Sequence, residues 1–144
     1  MKEISEMRIL KSFGLAHVLP VFTLFAVFGL DFDANAYTSI TSRENQVTVE
    51  VEPVQLAPGQ AAKFEVSMNT HTVSLGHDMV VVSTLTDDQG REYRPMNWQG
   101  SGPSGHHRSG VLEFPTLDGN PESVTLVIKD ISNVVRTFKW KVER

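Results

Sequence analysis

From Val47 onward the apolar positions recur at every second residue. Val47, Val49 and Val51 alternate with Thr48, Glu50 and Glu52, which gives a strand one buried and one wet face. Pro53 is expected to end that run. Ala57-Pro58-Gly59-Gln60 predicts a turn, with proline presetting φ and glycine free to take a positive φ next. A second strand places Phe64, Val66 and Met68 inward and Lys63, Glu65 and Ser67 outward. Met79 to Leu85 contains Val80-Val81-Val82, apolar on both faces, and predicts a central strand. Asp87-Asp88-Gln89-Gly90 turns the chain into Arg91 to Met96, where Pro95 points to a sheet edge. A glycine-rich loop over 97–110 precedes Val111 to Phe114, with Leu112 and Phe114 inward.

After the turn Asp118-Gly119-Asn120-Pro121, Val124, Leu126 and Ile128 form one face of a strand. A further turn over 130–133 leads to Phe138, Trp140 and Val142, all inward. No segment sustains apolar residues at helical spacing. About seven short strands separated by turn signals predict an all-β fold, an immunoglobulin-like antiparallel β-sandwich.

The first 36 residues follow a different pattern. Phe13 to Leu30 contains no acid, lysine or arginine and is mostly apolar, with Lys2, Arg8 and Lys11 before it and Ala34-Asn35-Ala36 after it. Pro20 leaves Val21 to Leu30 as about ten clean apolar residues, the length of a signal-peptide core followed by a small-x-small cleavage site. The expected organisation is a signal peptide over 1–36, a flexible lead-in over 37–46 and a β-sandwich over 47–144. The protein is thus expected to be exported, to a periplasm or the extracellular space. The rival is an uncleaved anchor over 13–30, the one case in which a membrane is a partner.

Composition narrows the partners. Thirteen Lys and Arg against 17 Asp and Glu give a net charge of −4 over 144 residues, so no basic footprint for nucleic acid exists. Cysteine is absent, which removes disulfides, thiolate metal sites and cysteine nucleophiles. A mature domain of roughly a hundred residues buries about two thirds of its unfolded surface and folds without such staples.

Four histidines, His71, His77, His106 and His107, fall in the mature chain near Met68, Asp78, Met79 and Met96. Imidazole and thioether donors suit copper or zinc. Their spacing argues for structural, hydrogen-bonding histidines instead: His71 and His77 straddle an expected turn, and the side chains of adjacent His106 and His107 diverge on an extended backbone. Gly100-Ser101-Gly102-Pro103-Ser104-Gly105 spells G-x-G-x-x-G, yet Pro103 lacks an amide hydrogen and no helix follows, so it is not a dinucleotide loop. Its glycine amides beside His106, His107 and Arg108 could cradle an anion, but Arg108 is expected instead to pair with Asp87 or Asp88. Trp98 could be an exposed platform for sugar or protein; the expectation is that it plugs one end of the sandwich. Ser104 or Ser109 with a neighbouring histidine does not make a nucleophile elbow, because no strand-to-helix turn presents it.

Asn69-Thr70-His71, Asp87-Asp88-x-Gly90, Pro95-x-x-Trp98-x-Gly100 and above all Gly105-His106-His107-Arg108-x-Gly110-x-Leu112-x-Phe114 resemble a group of small exported bacterial and archaeal β-sandwich proteins of unknown function. The resemblance covers about Phe64 to Pro115 and carries no catalytic residue, cofactor or ligand with it. It implies that Thr70-His71 and the segment from Trp98 to Phe114 belong to one structural feature, and His71, at the end of the second strand, is expected to pack against the His106-His107-Arg108 loop. The chain is therefore expected to be a binding or structural module for a protein or small ligand, and not an enzyme. The candidate ligand-binding residues are His71, Trp98, His106, His107 and Arg108, with no cofactor. The alternative is an exported copper- or zinc-binding protein using His71, the His106-His107 loop and His77.

Overall fold

The computed structural model describes residues 37–143; the expected signal peptide and its cleavage site lie outside the described residues. Nine strands, β1 (Ile40–Glu44), β2 (Val47–Gln55), β3 (Ala61–Thr70), β4 (Ser83–Asp87), β5 (Glu92–Tyr93), β6 (Asn97–Gly100), β7 (His107–Thr116), β8 (Ser123–Ile131) and β9 (Val134–Lys141), are joined by one helical turn, α1 (Met79–Val82). They form two antiparallel sheets, one in the order β1-β2-β3-β7-β6 and the other β5-β4-β8-β9.

The period of two decides which side of each strand is buried. Phe64, Val66 and Met68 of β3 lie opposite Leu112, Gly110 and Arg108 of β7. Leu126 and Ile128 of β8 lie opposite Phe138 and Arg136 of β9. The inward faces meet in a single core in which Phe64 packs edge-on to Phe114 and tilted against Trp140, at centroid distances of 5.7 and 5.3 Å. Such offset and edge-to-face contacts suit the ring quadrupoles. Trp140 also donates its indole N–H to the Thr38 carbonyl at 2.9 Å, which anchors the entering chain to β9.

Three segments differ from the sequence expectation. The lead-in contains β1, paired to β2 through a two-residue turn in which Asn45 and Gln46 take φ of 44° and 64°. Two left-handed residues make a type I′ turn, whose twist matches the strands it joins. Pro53 does not end β2; it marks a register irregularity within the strand, where a missing amide hydrogen is tolerated. The valine run is the clearest correction. Met79–Val82 forms α1, capped by Asp78, whose Oδ1 accepts from the Val80 amide at 2.9 Å. Only Met79 of this turn is buried, Val81 is exposed, and β4 starts at Ser83. The cap and the passage from one sheet to the other override the β preference of valine.

The β1–β2 and β8–β9 turns, one from each sheet, are tied together. Asn45 Nδ2 donates to the Ser132 carbonyl at 3.1 Å, and Ser132 Oγ donates back to the Asn45 carbonyl at 2.9 Å. Beneath them the buried guanidinium of Arg136 donates to the carbonyls of Ile131 and Glu44.

Candidate functional site: a cleft over a buried arginine

The alternation that buries Leu112 and Phe114 continues back along β7 to Gly110 and Arg108. Arg108 therefore enters the molecule from the inner face, opposite Met68, and only 3% of it is exposed. Its Nη1 donates to the carbonyls of Leu75 and His77, both at 2.8 Å, and its Nη2 to that of Ser101 at 3.3 Å. Two loops thus wrap one guanidinium. The chain between β3 and α1 is further pinned by the Leu75 amide, which donates to the Gly105 carbonyl at 3.0 Å.

Trp98 lies across this group, with the guanidinium carbon 5.7 Å from its ring centroid, within cation–π range. The indole is half-buried and donates its N–H to the Ser101 carbonyl at 3.0 Å. Seating it requires glycine on both strands: a Cβ at Gly110 would stand 2.7 Å from Trp98 Cζ2 and from Gly100 Cα. The residues expected to form a loop over 97–110 are instead β6 and the start of β7, which pair from Asn97–Glu113 to Gly100–Gly110.

Between β6, the loop after it and α1 opens a cleft of about 340 Å³, lined among others by His77, Asp78, Met79, Trp98, Gly102 and Arg108. Among the described residues, every side-chain hydrogen bond of Arg108 goes to a neutral carbonyl, and neither its buried Nε nor the buried His77 Nδ1 finds a partner. Burial holds the Arg108 guanidinium below its ordinary pKa, partly offset by the charge of Asp78. The group nonetheless stays a cation at any biological pH. A buried charge whose hydrogen bonds all go to dipoles keeps an attraction for an anion that can touch it directly.

The expected pairing of Arg108 with Asp87 or Asp88 does not occur. Asp87 is taken by Arg91, whose Nε donates to Oδ2 at 2.6 Å. Asp88 Oδ1 accepts from the Glu122 amide at 2.9 Å. Asp87 closes the β4–β5 turn, where Gly90 adopts a positive φ, and Asp88 ties that turn to the start of β8.

The histidines part company. His107 points outward where Arg108 points inward, and its Nδ1 lies 2.6 Å from Asn69 Oδ1 across the β3–β7 pair. His71, just beyond β3, meets His107 edge to face with centroids 6.5 Å apart, so the expected packing of His71 against this segment is present. His106 contributes its carbonyl to the Thr70 amide at 2.9 Å, and His77 belongs to the cleft. Among the described residues no three His, Asp or Glu side chains gather around one point.

Compared with protein families, with curated proteins and with solved structures, the chain finds no match.

Proposed function

We propose that the chain is an exported binding module of immunoglobulin-like topology whose ligand presents an anionic group, such as a carboxylate, to the cleft over Arg108 and Trp98. The observation that carries this reading is the Arg108 cation: 3% exposed, lining an open cleft, and bonded only to neutral carbonyls. A ligand carboxylate in the cleft would give Arg108 a direct anionic contact, where Asp78 acts only through its charge and makes no hydrogen bond to it, in a setting where an ionic contact counts for more than at the surface. Trp98 offers the rest of such a ligand a flat apolar wall, and the unpartnered His77 Nδ1 offers one more polar contact. The topology has a recognisable parallel. With β1 set aside, β2-β3-β7-β6 and β5-β4-β8-β9 correspond to strands A-B-E-D and C′-C-F-G of an immunoglobulin domain. Export rests on the leader alone.

Benzoate and its neutral counterpart benzamide test the reading on the full chain by NMR. Benzoate is expected to shift the Trp98 indole N–H and the Ser101 and Gly102 amides, whereas benzamide leaves them in place. Arg108→Met is expected to weaken benzoate at least tenfold, because the charge is gone while the side-chain volume stays. Asp78→Asn keeps the α1 cap and removes the competing acid, so it should tighten benzoate about two- to fivefold. Equal binding of both probes, or shifts confined to the far end of the sandwich, would remove the proposal.

A further inference from the structure

The outer face of the β1-β2-β3-β7-β6 sheet, on the side of β3 and β7 away from the cleft, carries a second and independent chemistry. Ser67, Asn69 and His71 follow one another at the period of two, and Asn69 is the cross-strand partner of His107. The 2.6 Å contact between Asn69 Oδ1 and His107 Nδ1 is a hydrogen bond only if Nδ1 carries the proton, since an amide oxygen can only accept. In the neutral ring this contact favours the Nδ1–H tautomer, which leaves Nε2 its lone pair. A ligating histidine in a metal site is usually oriented this way, its other nitrogen donating to a second-shell oxygen.

His71 supplies the second imidazole. Both rings are exposed, so an ion can reach them without dehydrating fully. Metal–nitrogen bonds of about 2 Å place two rings on one ion with centroids about 6 Å apart or less. From the observed 6.5 Å, with the rings edge to face, the exposed His71 side chain has to turn for both rings to reach one ion. Charges on this outer face are mixed: the exposed Arg43 lies in the same cross-strand row, opposite Thr48, which faces Asn69, and acids lie further along the strands. Glu50, Glu52 and Glu65 share this outer face, with Glu52 directly opposite Glu65 and Glu50 opposite Ser67. None of the three forms an ion pair among the described residues, and together with Ser67 they line a hollow of about 120 Å³. Like charges facing each other across a strand pair destabilise the sheet, but the Glu52–Glu65 pair lies four residues along β3 from Asn69, about 13 Å away, so the two imidazoles carry the site and the acids do not.

We infer that His71 and His107 form a two-histidine site for a late first-row divalent cation, with Asn69 as the orienting partner and water in the remaining positions. Copper(II) binds more tightly there than zinc(II), as the order of divalent ions at nitrogen sites requires, and magnesium and calcium, which favour oxygen ligands, do not compete. Neither His106 nor His77 takes part: the first contributes backbone bonding and the second faces the cleft.

Titration of the full chain with copper(II), followed by calorimetry and by the nitrogen splitting in its paramagnetic resonance spectrum, tests the site. His71→Ala and His107→Ala are each expected to weaken binding at least tenfold, and Asn69→Ala about tenfold. His77→Ala, His106→Ala and, in the leader, His17→Ala should bind as the unchanged chain does. Zinc(II) gives a reading that needs no variant, since the ring-proton resonances of His71 and His107 should move together while those of His77 and His106 stay. Binding that survives loss of both His71 and His107, or that depends equally on His106 or His77, would overturn the assignment. It would leave the carboxylate cleft untouched, because Arg108 and Trp98 take no part in metal binding.

Discussion

Gly110→Ala is expected to lower the melting temperature by more than 10 °C and to free Trp98 from its seat. The Cβ it adds would meet the Gln99 carbonyl oxygen, Gly100 Cα and Trp98 Cζ2, each at 2.7 Å. Two of those atoms are backbone, so the strain cannot be relieved by turning one side chain. Overpacking a core usually costs 1–3 kcal/mol; a clash of strand against strand should cost about 3 kcal/mol or more. In a domain of roughly a hundred residues each kcal/mol lowers the melting point by about 4–8 °C. Gly100→Ala should behave alike, since its Cβ would stand 2.4 Å from Gly110 Cα and from the Ser109 carbonyl.

Thermal melts followed by near-ultraviolet circular dichroism measure both effects, and Gly102→Ala is the control. Nothing lies within 4 Å of a Cβ at Gly102, so its change should stay within about 0.5 kcal/mol. Adding Trp98→Ala to Gly110→Ala should recover little, because the Gln99 contact remains. An alanine variant at Gly110 that melts with the unchanged chain would show that β6 does not lie against β7 at this spacing. The cleft would then lose its wall.

The same glycines explain what was hard to see in the sequence. Gly100, Gly102, Gly105 and Gly110 suggest a loop over 97–110, yet Gly100 and Gly110 are there because two strands and an indole crowd together. Carrying the alternation of Leu112 and Phe114 back two steps past Val111 puts Gly110 and then Arg108 on the inner face. In β9 the phase of Phe138 and Trp140 likewise leads back to Arg136. Both buried arginines were therefore legible from period alone. What period does not disclose is their partners, which are backbone carbonyls of remote turns: Leu75 and His77 for Arg108, Ile131 and Glu44 for Arg136. Pairing arginine with the nearest acidic run, Asp87-Asp88, fails because Asp87 is used locally to close a turn and Asp88 accepts from the Glu122 and Ser123 amides. The strands of the main core, from Val47 to Met68 and from Val124 to Trp140, were plain in the sequence because each has one apolar face. Residues 40–44, with Ile40 as the only large apolar side chain, hold as β1 through the turn at Asn45-Gln46. The valines at 80–82 mislead because propensity is weaker than a cap and a change of sheet.

Asp87→Ala is expected to cost about 3 kcal/mol or more at neutral pH, because it leaves several donors without their acceptor. The carboxylate receives the Gln89 and Arg91 amides at 2.9 and 3.0 Å, Arg91 Nε at 2.6 Å and the Tyr93 hydroxyl at 3.0 Å. The Tyr93 oxygen in turn accepts the Asp118 amide at 3.1 Å, so the loss would spread from the β4–β5 turn to the segment before β8. Burial alone would push this carboxyl upward, but the bonds from Arg91, Tyr93 and Gln89 together outweigh it and hold Asp87 below its ordinary value. A carboxyl whose folded-state pKa is depressed stabilises the fold fully above its unfolded pKa, near 4, and loses that contribution as pH falls through the lower folded-state value. Asp87→Asn should therefore be less stable than the unchanged chain at pH 7, with the gap narrowing only below about pH 4. Urea unfolding of the two proteins at pH 7, 5, 4 and 3 measures the gap directly. A gap already closed at pH 5 would mean that Asp87 titrates above its ordinary value and that burial, not the donors around it, sets its charge. The turn would then be held by its backbone alone.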